Sequence, residues 1–298
     1  MNNTINRRDF LKLVGIGGAV FATGLPGCMN ALRKSDMDDF YFVQLSDTHW
    51  GFNGPKVNPD ADGTLKKAIA SVNSLEQKPD FIVFTGDLTH TTEDATVRRT
   101  RLAQFKDIVS ALDVKKVYFM PGEHDASLDN GQAYQEFFGA PYYTFDHKGI
   151  HFIALDNVSD PAAMIGEKQL AWLRNDLGRL QNDAPIVVFT HRPLFDLYPQ
   201  WDWATPDAAA AIAMLMPFKN VTVFYGHIHQ EHFHKTGHIE HHAAKSLIFP
   251  LPAPGSQPKR TPIPWDAANP YRGLGFRDVD ADAKDAYFKI KELPVIKE

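Results

Sequence analysis

The sequence predicts an α/β fold. From Phe40 onward, apolar runs rich in β-branched and aromatic residues alternate with segments whose apolar residues recur at helical spacing. Side chains able to bind metals directly follow five of the strand-like runs, and in α/β proteins ligands bind at the carboxyl ends of strands. With 298 residues, 44% of them hydrophobic, the chain can enclose a sizeable core.

The individual elements follow from apolar spacing and from turn signals. The predicted elements are helices over 64–77, 93–112, 167–180 and 208–216, a hairpin over 142–156 and a last strand over 285–291. Seven prolines between residues 250 and 270 forbid a helix or a central strand there. This segment is either a long ordered loop or a linker, and its aromatic and basic residues favour the ordered loop.

Five short motifs carry the metal-binding side chains. Each motif alone is weak, because Asp or His after a strand is often only a turn residue. As an ordered set at strand ends, they predict a metal site. In chain order they are Asp47-Thr48-His49, Gly86-Asp87, Gly122-Glu123-His124-Asp125, Thr190-His191-Arg192-Pro193 and Gly226-His227-Ile228-His229.

This order resembles the calcineurin-like metallophosphoesterase family, whose pattern reads D-x-H, G-D, G-N-H-D/E, H and G-H-x-H. The resemblance spans roughly residues 40 to 249, and it departs from the family at one position, where Glu123 replaces Asn. It implies a four-layer α/β/β/α sandwich of two mixed β-sheets flanked by helices. It also implies a phosphoesterase that cleaves phosphomonoesters or phosphodiesters through a metal-bound hydroxide.

The resemblance implies a role for each motif. The cofactors would be two divalent or mixed-valence metal ions, Fe, Mn or Zn, with Asp87 bridging them, and the substrate would be a small phosphorylated molecule. His124 matches the family's proton donor to the leaving oxygen. The implied ligands are Asp47, His49, Asp87 and His229 for the first metal, and Asp87, Glu123, His191 and His227 for the second.

Glu123 has two interpretations. As a true ligand it adds a negative charge where the family has a neutral amide, so it would tighten metal binding, repel a phosphate dianion and weaken monoesterase activity. Alternatively, the side chain swings away from the metals and has no role. The sequence favours the first interpretation without excluding the second.

Several other side chains near the motifs each have more than one possible role. His90 would orient His124, bind metal or be a solvated loop residue, and Arg192 and Arg260 are predicted substrate-phosphate contacts. Trp50, Trp201 and Trp203 would either wall the site or pack under the Pro-rich loop. The histidines that follow His229 would either face the metal cleft or lie on a partly exposed hairpin; they are His232, His234, His238, His241 and His242.

The N-terminus predicts export. Residues 6–12, NRRDFLK, resemble the twin-arginine signal, and Cys28 follows a lipobox-like Leu-Pro-Gly. We therefore expect a signal peptide over 1–27, a tether over 28–39 and a metallophosphoesterase domain over 40–298. The protein would be periplasmic or in the cell envelope, with a membrane anchor if Cys28 is lipidated; otherwise Cys28 is an unmodified thiol.

Composition restricts the function classes. The net charge of −5 gives no basic footprint for nucleic acid, and the single Cys excludes an internal disulfide. Two alternatives to a phosphoesterase remain: a non-catalytic or redox-linked metal-binding lipoprotein, and a metal-dependent hydrolase of a non-phosphate ester on the same scaffold. The oligomeric state is open.

Overall fold

The computed structural model describes residues 39–282 and 287–296. The described residues form one compact unit. The predicted signal peptide, Cys28 and nearly all of the tether lie outside them. Within the described part, no helix has the length and apolar character needed to cross a membrane.

Two mixed sheets face each other, as expected from the resemblance. The first has the order β11-β10-β1-β2-β3, with β1, β2 and β3 parallel; the second has the order β4-β5-β6-β7-β9-β8, with β5, β6, β7 and β9 parallel. The strands are β1 Phe40–Leu45, β2 Phe81–Thr85, β3 Val117–Met120, β4 Tyr143–His147, β5 Ile150–Ala154, β6 Pro185–Phe189, β7 Asn220–Tyr225, β8 His232–Thr236, β9 Ile239–Ala243, β10 Gly275–Asp282 and β11 Tyr287–Pro294.

Helices cover the outer face of each sheet. Helices α1, α2 and α4 pack on the first sheet, and α5 and α6 pack on the second. The helices are α1 Ala61–Asn73, α2 Ala95–Val109, α3 Glu123–Ala126, α4 Gln132–Phe138, α5 Glu167–Leu177 and α6 Ala208–Leu215. This arrangement is the four-layer α/β/β/α sandwich.

The space between the sheets is filled by aromatic rings. Phe42 stacks on Phe81 within the first sheet and meets Phe152, Phe189 and Phe224 of the second sheet edge-on. All five side chains are almost completely buried. Because neighbouring strand residues point to opposite faces, the residues that flank Phe42 pack against the helices instead. This double-sided burial holds the strand ends, and so the motifs, in fixed positions.

The predicted helices exist, but their ends differ from the prediction. The helix predicted from residue 93 begins at Ala95, because the Asp94 side chain accepts hydrogen bonds from two backbone N–H groups and caps it. The helix predicted to reach residue 77 ends at Asn73, several residues before Pro79. The predicted hairpin forms as β4 and β5.

The Pro-rich segment 250–270 is an ordered loop without helix or strand. The backbone N–H of Trp265 donates to Lys56 O at 3.0 Å, and Tyr271, just after the loop, donates its hydroxyl to Asp60 at 2.9 Å. These bonds fix the loop to the segment that leads into α1. The loop therefore holds Arg260 at a defined place above the carboxyl ends of the strands.

Candidate metal centre

All seven side chains predicted as ligands converge at the carboxyl ends of five parallel strands. They follow β1, β2, β3, β6 and β7, which belong to both sheets. They form two groups of four, in each of which the candidate ligand atoms lie within 4.8 Å of one another, and Asp87 belongs to both. The groups are Asp47, His49, Asp87 and His229, and Asp87, Glu123, His191 and His227.

The backbone is unusual at most of these positions. Five of the seven residues adopt a positive φ, a region that non-glycine residues rarely visit and that costs about 1 kcal/mol or more for each residue. Such strain persists where the surrounding structure enforces it, as functional sites do. The φ values are 54° at Asp47, 43° at His49, 49° at Asp87, 66° at His227 and 55° at His229.

Two motif glycines allow the loops to approach closely. Gly86 has φ 93°, and a Cβ there would overlap the imidazole of His191. A Cβ at Gly122 would overlap the backbone and carboxylate of Asp87. The glycines of these motifs are therefore required by the close approach of the ligand loops.

The first group surrounds a small space lined by imidazole nitrogens and carboxylate oxygens. His49 Nε2 lies 3.3 Å from Asp87 Oδ2 and 3.2 Å from His229 Nε2, while His229 Nε2 lies 3.3 Å from Asp47 Oδ1. All four residues are almost completely buried.

The second group is built around Glu123. His191 Nε2 lies 2.8 Å from Glu123 Oε2 and 3.4 Å from Asp87 Oδ2. His227 Nδ1 lies 3.0 Å from the Glu123 carboxylate. The interpretation in which Glu123 swings away does not match this position.

Three of the histidines bond to backbone carbonyls through the ring nitrogen that faces away from the centre. Because a carbonyl only accepts, that nitrogen carries a proton, and in the neutral ring the inward-facing nitrogen has a lone pair. The pairs are His191 Nδ1 with Thr85 O at 2.7 Å, His227 Nε2 with Asp202 O at 3.0 Å, and His229 Nδ1 with Phe249 O at 2.7 Å.

The inward lone pairs therefore face carboxylate oxygens, an arrangement that repels unless positive charge lies between them. Burial alone lowers the pKa of His191, but Asp87 and Glu123 outweigh it and raise that pKa well above its ordinary value. Burial raises the pKa of Glu123, but His227 and His191 hold it well below its usual range. The centre thus favours cations, and its imidazole and carboxylate donors fit two metal ions.

His124 lies beside the shared carboxylate. Its backbone N–H donates to Asp87 Oδ1 at 2.9 Å, and its Nδ1 accepts a hydrogen bond from the backbone N–H of Thr91 at 3.1 Å. The ring proton therefore sits on Nε2, which lies 4.0 Å from Asp87 Oδ2 and faces the centre. The sequence did not predict this contact with Thr91, because the donor is a backbone N–H group and its presence does not depend on the side chain.

His90 is not a solvated loop residue. Its Nδ1 lies 3.3 Å from His49 Nδ1, and its ring stacks on His124 with centroids 5.0 Å apart. Burial lowers the pKa of His90 to about 4, so the ring is neutral near neutral pH. It therefore contacts the rings of two predicted site residues, and with His49 and His124 it forms a third group that could hold a metal.

Asp125 joins two of the motif loops. Its carboxylate accepts backbone N–H groups from Leu88, Thr89 and Gly122 at 2.8–3.0 Å. The loop that carries Asp87 and the loop that carries Glu123 are thereby fixed to each other. Asp125 does not belong to either metal-binding group.

Two cavities open at the centre. One, of about 120 Å³, is lined by metal-binding residues together with Phe249, Leu251 and Arg260. The other, of about 630 Å³, is lined by Glu123 and Arg192 among others. Arg192 and Arg260, the predicted phosphate contacts, thus lie in different cavities that share Glu123.

The tryptophans mainly serve packing. Trp203 is fully buried and Trp201 is nearly so, and they pack with Phe249 under the Pro-rich loop. Trp50 donates its indole N–H to Gln104 instead of facing the centre. Phe249 forms the aromatic wall of the smaller cavity, a role the sequence did not indicate.

The histidines after His229 belong to the β8–β9 hairpin or its turn. None of the five lines the smaller cavity. His234 stacks on Phe195 at 3.9 Å, and His241 is fully buried. The hairpin interpretation therefore matches the structure, and the cleft-facing one does not.

A family model described as calcineurin-like phosphoesterase matches residues 40–231. A probable glycerophosphodiester phosphodiesterase GpdQ of Arcobacter nitrofigilis is 30% identical over 165 residues, covering 51% of this chain and 56% of that protein. The match to that relative therefore spans little more than half its length. Serine/threonine-protein phosphatase CPPED1 of Danio rerio is 26% identical over 225 residues, covering 66% and 72%.

Two solved structures share the fold at low sequence identity. Purple acid phosphatase PPD1 from yellow lupin superposes with a TM-score of 0.61 at 14% identity, covering 86% of this chain and 53% of that one. A dimetal phosphatase from Danio rerio superposes with a TM-score of 0.52 at 15% identity, covering 86% and 98%.

Proposed function

Because this chain belongs to the calcineurin-like phosphoesterase family, we propose that it hydrolyses small phosphoric esters at a two-metal centre. The observation that carries the proposal is the pair of ligand groups that share Asp87. Their inward-facing histidine nitrogens lie beside carboxylate oxygens, an arrangement that favours a bound cation. The backbone strain and the buried titratable groups at these positions support a functional site.

Each residue has a task in the proposed hydrolysis. Asp47, His49, Asp87 and His229 would hold one metal, and Asp87, Glu123, His191 and His227 the other. When bound, the metals supply an activated water and neutralise charge on the phosphoryl oxygens. The water would add its hydroxyl group to phosphorus and lose one proton to solvent as the ester P–O bond breaks. His124 holds a proton on Nε2 and passes it to the leaving oxygen.

The test is hydrolysis by the metal-loaded protein. Purified protein is loaded with Mn, Fe or Zn, its metal content is measured, and p-nitrophenyl mono- and diesters are supplied. We expect release of p-nitrophenol that requires metal and is lost with a chelator. Full metal occupancy without hydrolysis of either ester class would contradict the proposal. Hydrolysis of carboxylic esters alone would favour the non-phosphate hydrolase.

We propose that Glu123 makes the enzyme a diesterase. Its carboxylate borders both cavities, so it adds negative charge next to the reacting phosphate. A monoester carries up to two negative charges near neutral pH, and a diester carries one. Repulsion therefore disfavours the monoester more. The two cavities also offer space for a substituent on each side of the phosphate.

Replacing Glu123 with asparagine is expected to raise monoesterase kcat/KM roughly tenfold, equivalent to about 1.4 kcal/mol in the barrier. Removing the extra charge near the phosphate is the physical reason. The measurement is p-nitrophenyl phosphate turnover relative to bis(p-nitrophenyl) phosphate. Glu123→Gln is the matched control, since it removes the charge but keeps the side-chain length. A variant that loses metal and gains no monoesterase activity would refute the inhibitory role.

We further propose that the protein is exported by the twin-arginine route and is held at the membrane through Cys28. The NRRDFLK sequence and the Leu-Pro-Gly-Cys that follows support this. Changing Arg7 and Arg8 to lysine is expected to retain the protein in the cytoplasm, as judged by cell fractionation. Cys28→Ser would release exported protein from the membrane fraction. Unchanged fractionation of both variants would exclude these roles.

A further inference from the structure

Asp202 lies between two arginines at the mouth of the metal centre. Its Oδ2 accepts from Arg192 Nη2 at 3.1 Å and lies 3.6 Å from Arg260 Nη2. The two arginines come from different loops, one beside the ligand His191 and one from the Pro-rich segment. One carboxylate oxygen thus occupies the position where two guanidinium groups converge.

Arg192 is built into the larger cavity. The residue is 6% exposed, and among the described residues its Nε has no hydrogen-bond partner. Because this Nε is itself buried, the guanidinium meets its partners through its outer nitrogens, of which Nη2 pairs with Asp202. The cavity it lines is about 630 Å³, a size that suits a small-molecule substituent.

The larger cavity is lined by more acidic than basic side chains. Asp160, Asp196 and Asp202 line it together with Glu123, whereas Arg192 is the basic residue of the lining. Asp202 already pairs with Arg192. An ester substituent that enters this cavity therefore meets carboxylates that no basic side chain of the lining compensates.

We propose that Asp202 is a specificity-determining residue: by keeping Arg192 and Arg260 paired, it makes the cavity beside Glu123 accept ester substituents that lack a second negative charge. The inference rests on the proposed phosphoesterase function and names its substrate class. Hydroxylated or cationic alcohols fit, because the lining carboxylates accept hydrogen bonds from hydroxyl groups and attract a cation. A substituent that carries its own phosphate has to displace Asp202 and face the remaining carboxylates.

The backbone of Asp202 permits a clean substitution. Its φ is 67°, in the left-handed region that asparagine also tolerates, and its carbonyl accepts from His227 Nε2. Asp202→Asn therefore keeps the backbone carbonyl in place while removing the negative charge between the arginines. Asp196→Asn is the matched control, because Asp196 lines the same cavity without contacting either arginine.

The kinetic experiment uses diesters with a common p-nitrophenol leaving group and the metal-loaded protein. The pair is thymidine 5′-p-nitrophenyl phosphate and the same molecule with a 3′-phosphate. The unmodified protein is expected to prefer the first by kcat/KM, and Asp202→Asn to narrow that preference about fivefold. Asp196→Asn removes one cavity carboxylate but frees neither arginine, so it is expected to change the preference by less than about twofold.

A binding measurement keeps the inference testable if no ester is hydrolysed. Calorimetry compares the affinity of the metal-loaded protein for thymidine 3′,5′-bisphosphate and for thymidine 5′-monophosphate. Asp202→Asn is expected to shift the ratio toward the bisphosphate about fivefold. Absence of p-nitrophenol release with every substrate would count against the proposed function alone. An unchanged ratio for Asp202→Asn, or an equal shift for Asp196→Asn, would overturn the role of Asp202.

Discussion

Asp87→Asn is expected to lower phosphoesterase kcat/KM about a thousandfold and to reduce the metal content below two ions per chain. Asp87 belongs to both ligand groups, and its Oδ2 lies 3.3 Å from His49 Nε2 and 3.4 Å from His191 Nε2. The asparagine amide would place either a neutral oxygen or an N–H group at this position. Both ligand groups would therefore lose the negative charge of Asp87 at once.

Asparagine keeps much of the surrounding structure. Its Oδ1 can still accept the backbone N–H of His124, which lies 2.9 Å from that oxygen in the unmodified protein. The measurements are metal analysis and hydrolysis of bis(p-nitrophenyl) phosphate at matched metal concentration. Asp62→Asn, at an exposed carboxylate of α1, is the control for a general change in charge. Two bound metals and near-normal turnover in Asp87→Asn would contradict the shared-carboxylate arrangement.

His124→Ala is expected to lower kcat by a hundredfold to ten-thousandfold, about the usual contribution of a general acid, while both metals remain bound. The imidazole belongs to neither of the two four-residue ligand groups, although its Nε2 faces the centre. The loss should be larger for an alkyl leaving group than for p-nitrophenol. The reason is that an alkoxide leaves poorly without a proton.

The leaving-group dependence separates proton donation from a structural effect. A purely structural disturbance would slow alkyl and aryl esters equally. His238→Ala is the control, because His238 lies exposed in the turn between β8 and β9. If His124→Ala retains the cellular role of the protein while ligand substitutions abolish it, the non-catalytic metal-binding alternative gains support.

The spacing of apolar residues predicted the helices and strands that are buried on one face or on both faces. The runs that end at Leu45, Thr85 and Phe189 are mostly apolar because their strands are covered on both faces. Strand β10 was not predicted, since its interior includes charged residues. Its Arg277 is only 3% exposed and pairs with Glu292 of β11. A buried ion pair across two strands has no signature in either strand alone.

The long-range contacts of the site were likewise absent from the motifs. Thr91 and Phe249 act through backbone atoms, and Asp202 uses both its carbonyl and its carboxylate. Each lies between 10 and 33 residues along the chain from the residue it contacts. The positions of the loops in the fold determine these contacts, so the residue types in the sequence do not predict them.

The sequence by itself determined the α/β class and the five motifs that gather at the strand ends, because strand direction and the alternation of elements fix where a motif after each strand must lie; the family resemblance then singled out seven ligands among them. Only the tertiary structure decided which ring nitrogen of His191, His227 and His229 faces the centre, since backbone carbonyls from distant loops hold the opposite nitrogen. It also decided that Glu123 lies among the ligands and that one carboxylate, Asp202, separates two arginines. Those facts depend on distances of a few ångströms between segments that only the packing of two sheets brings together.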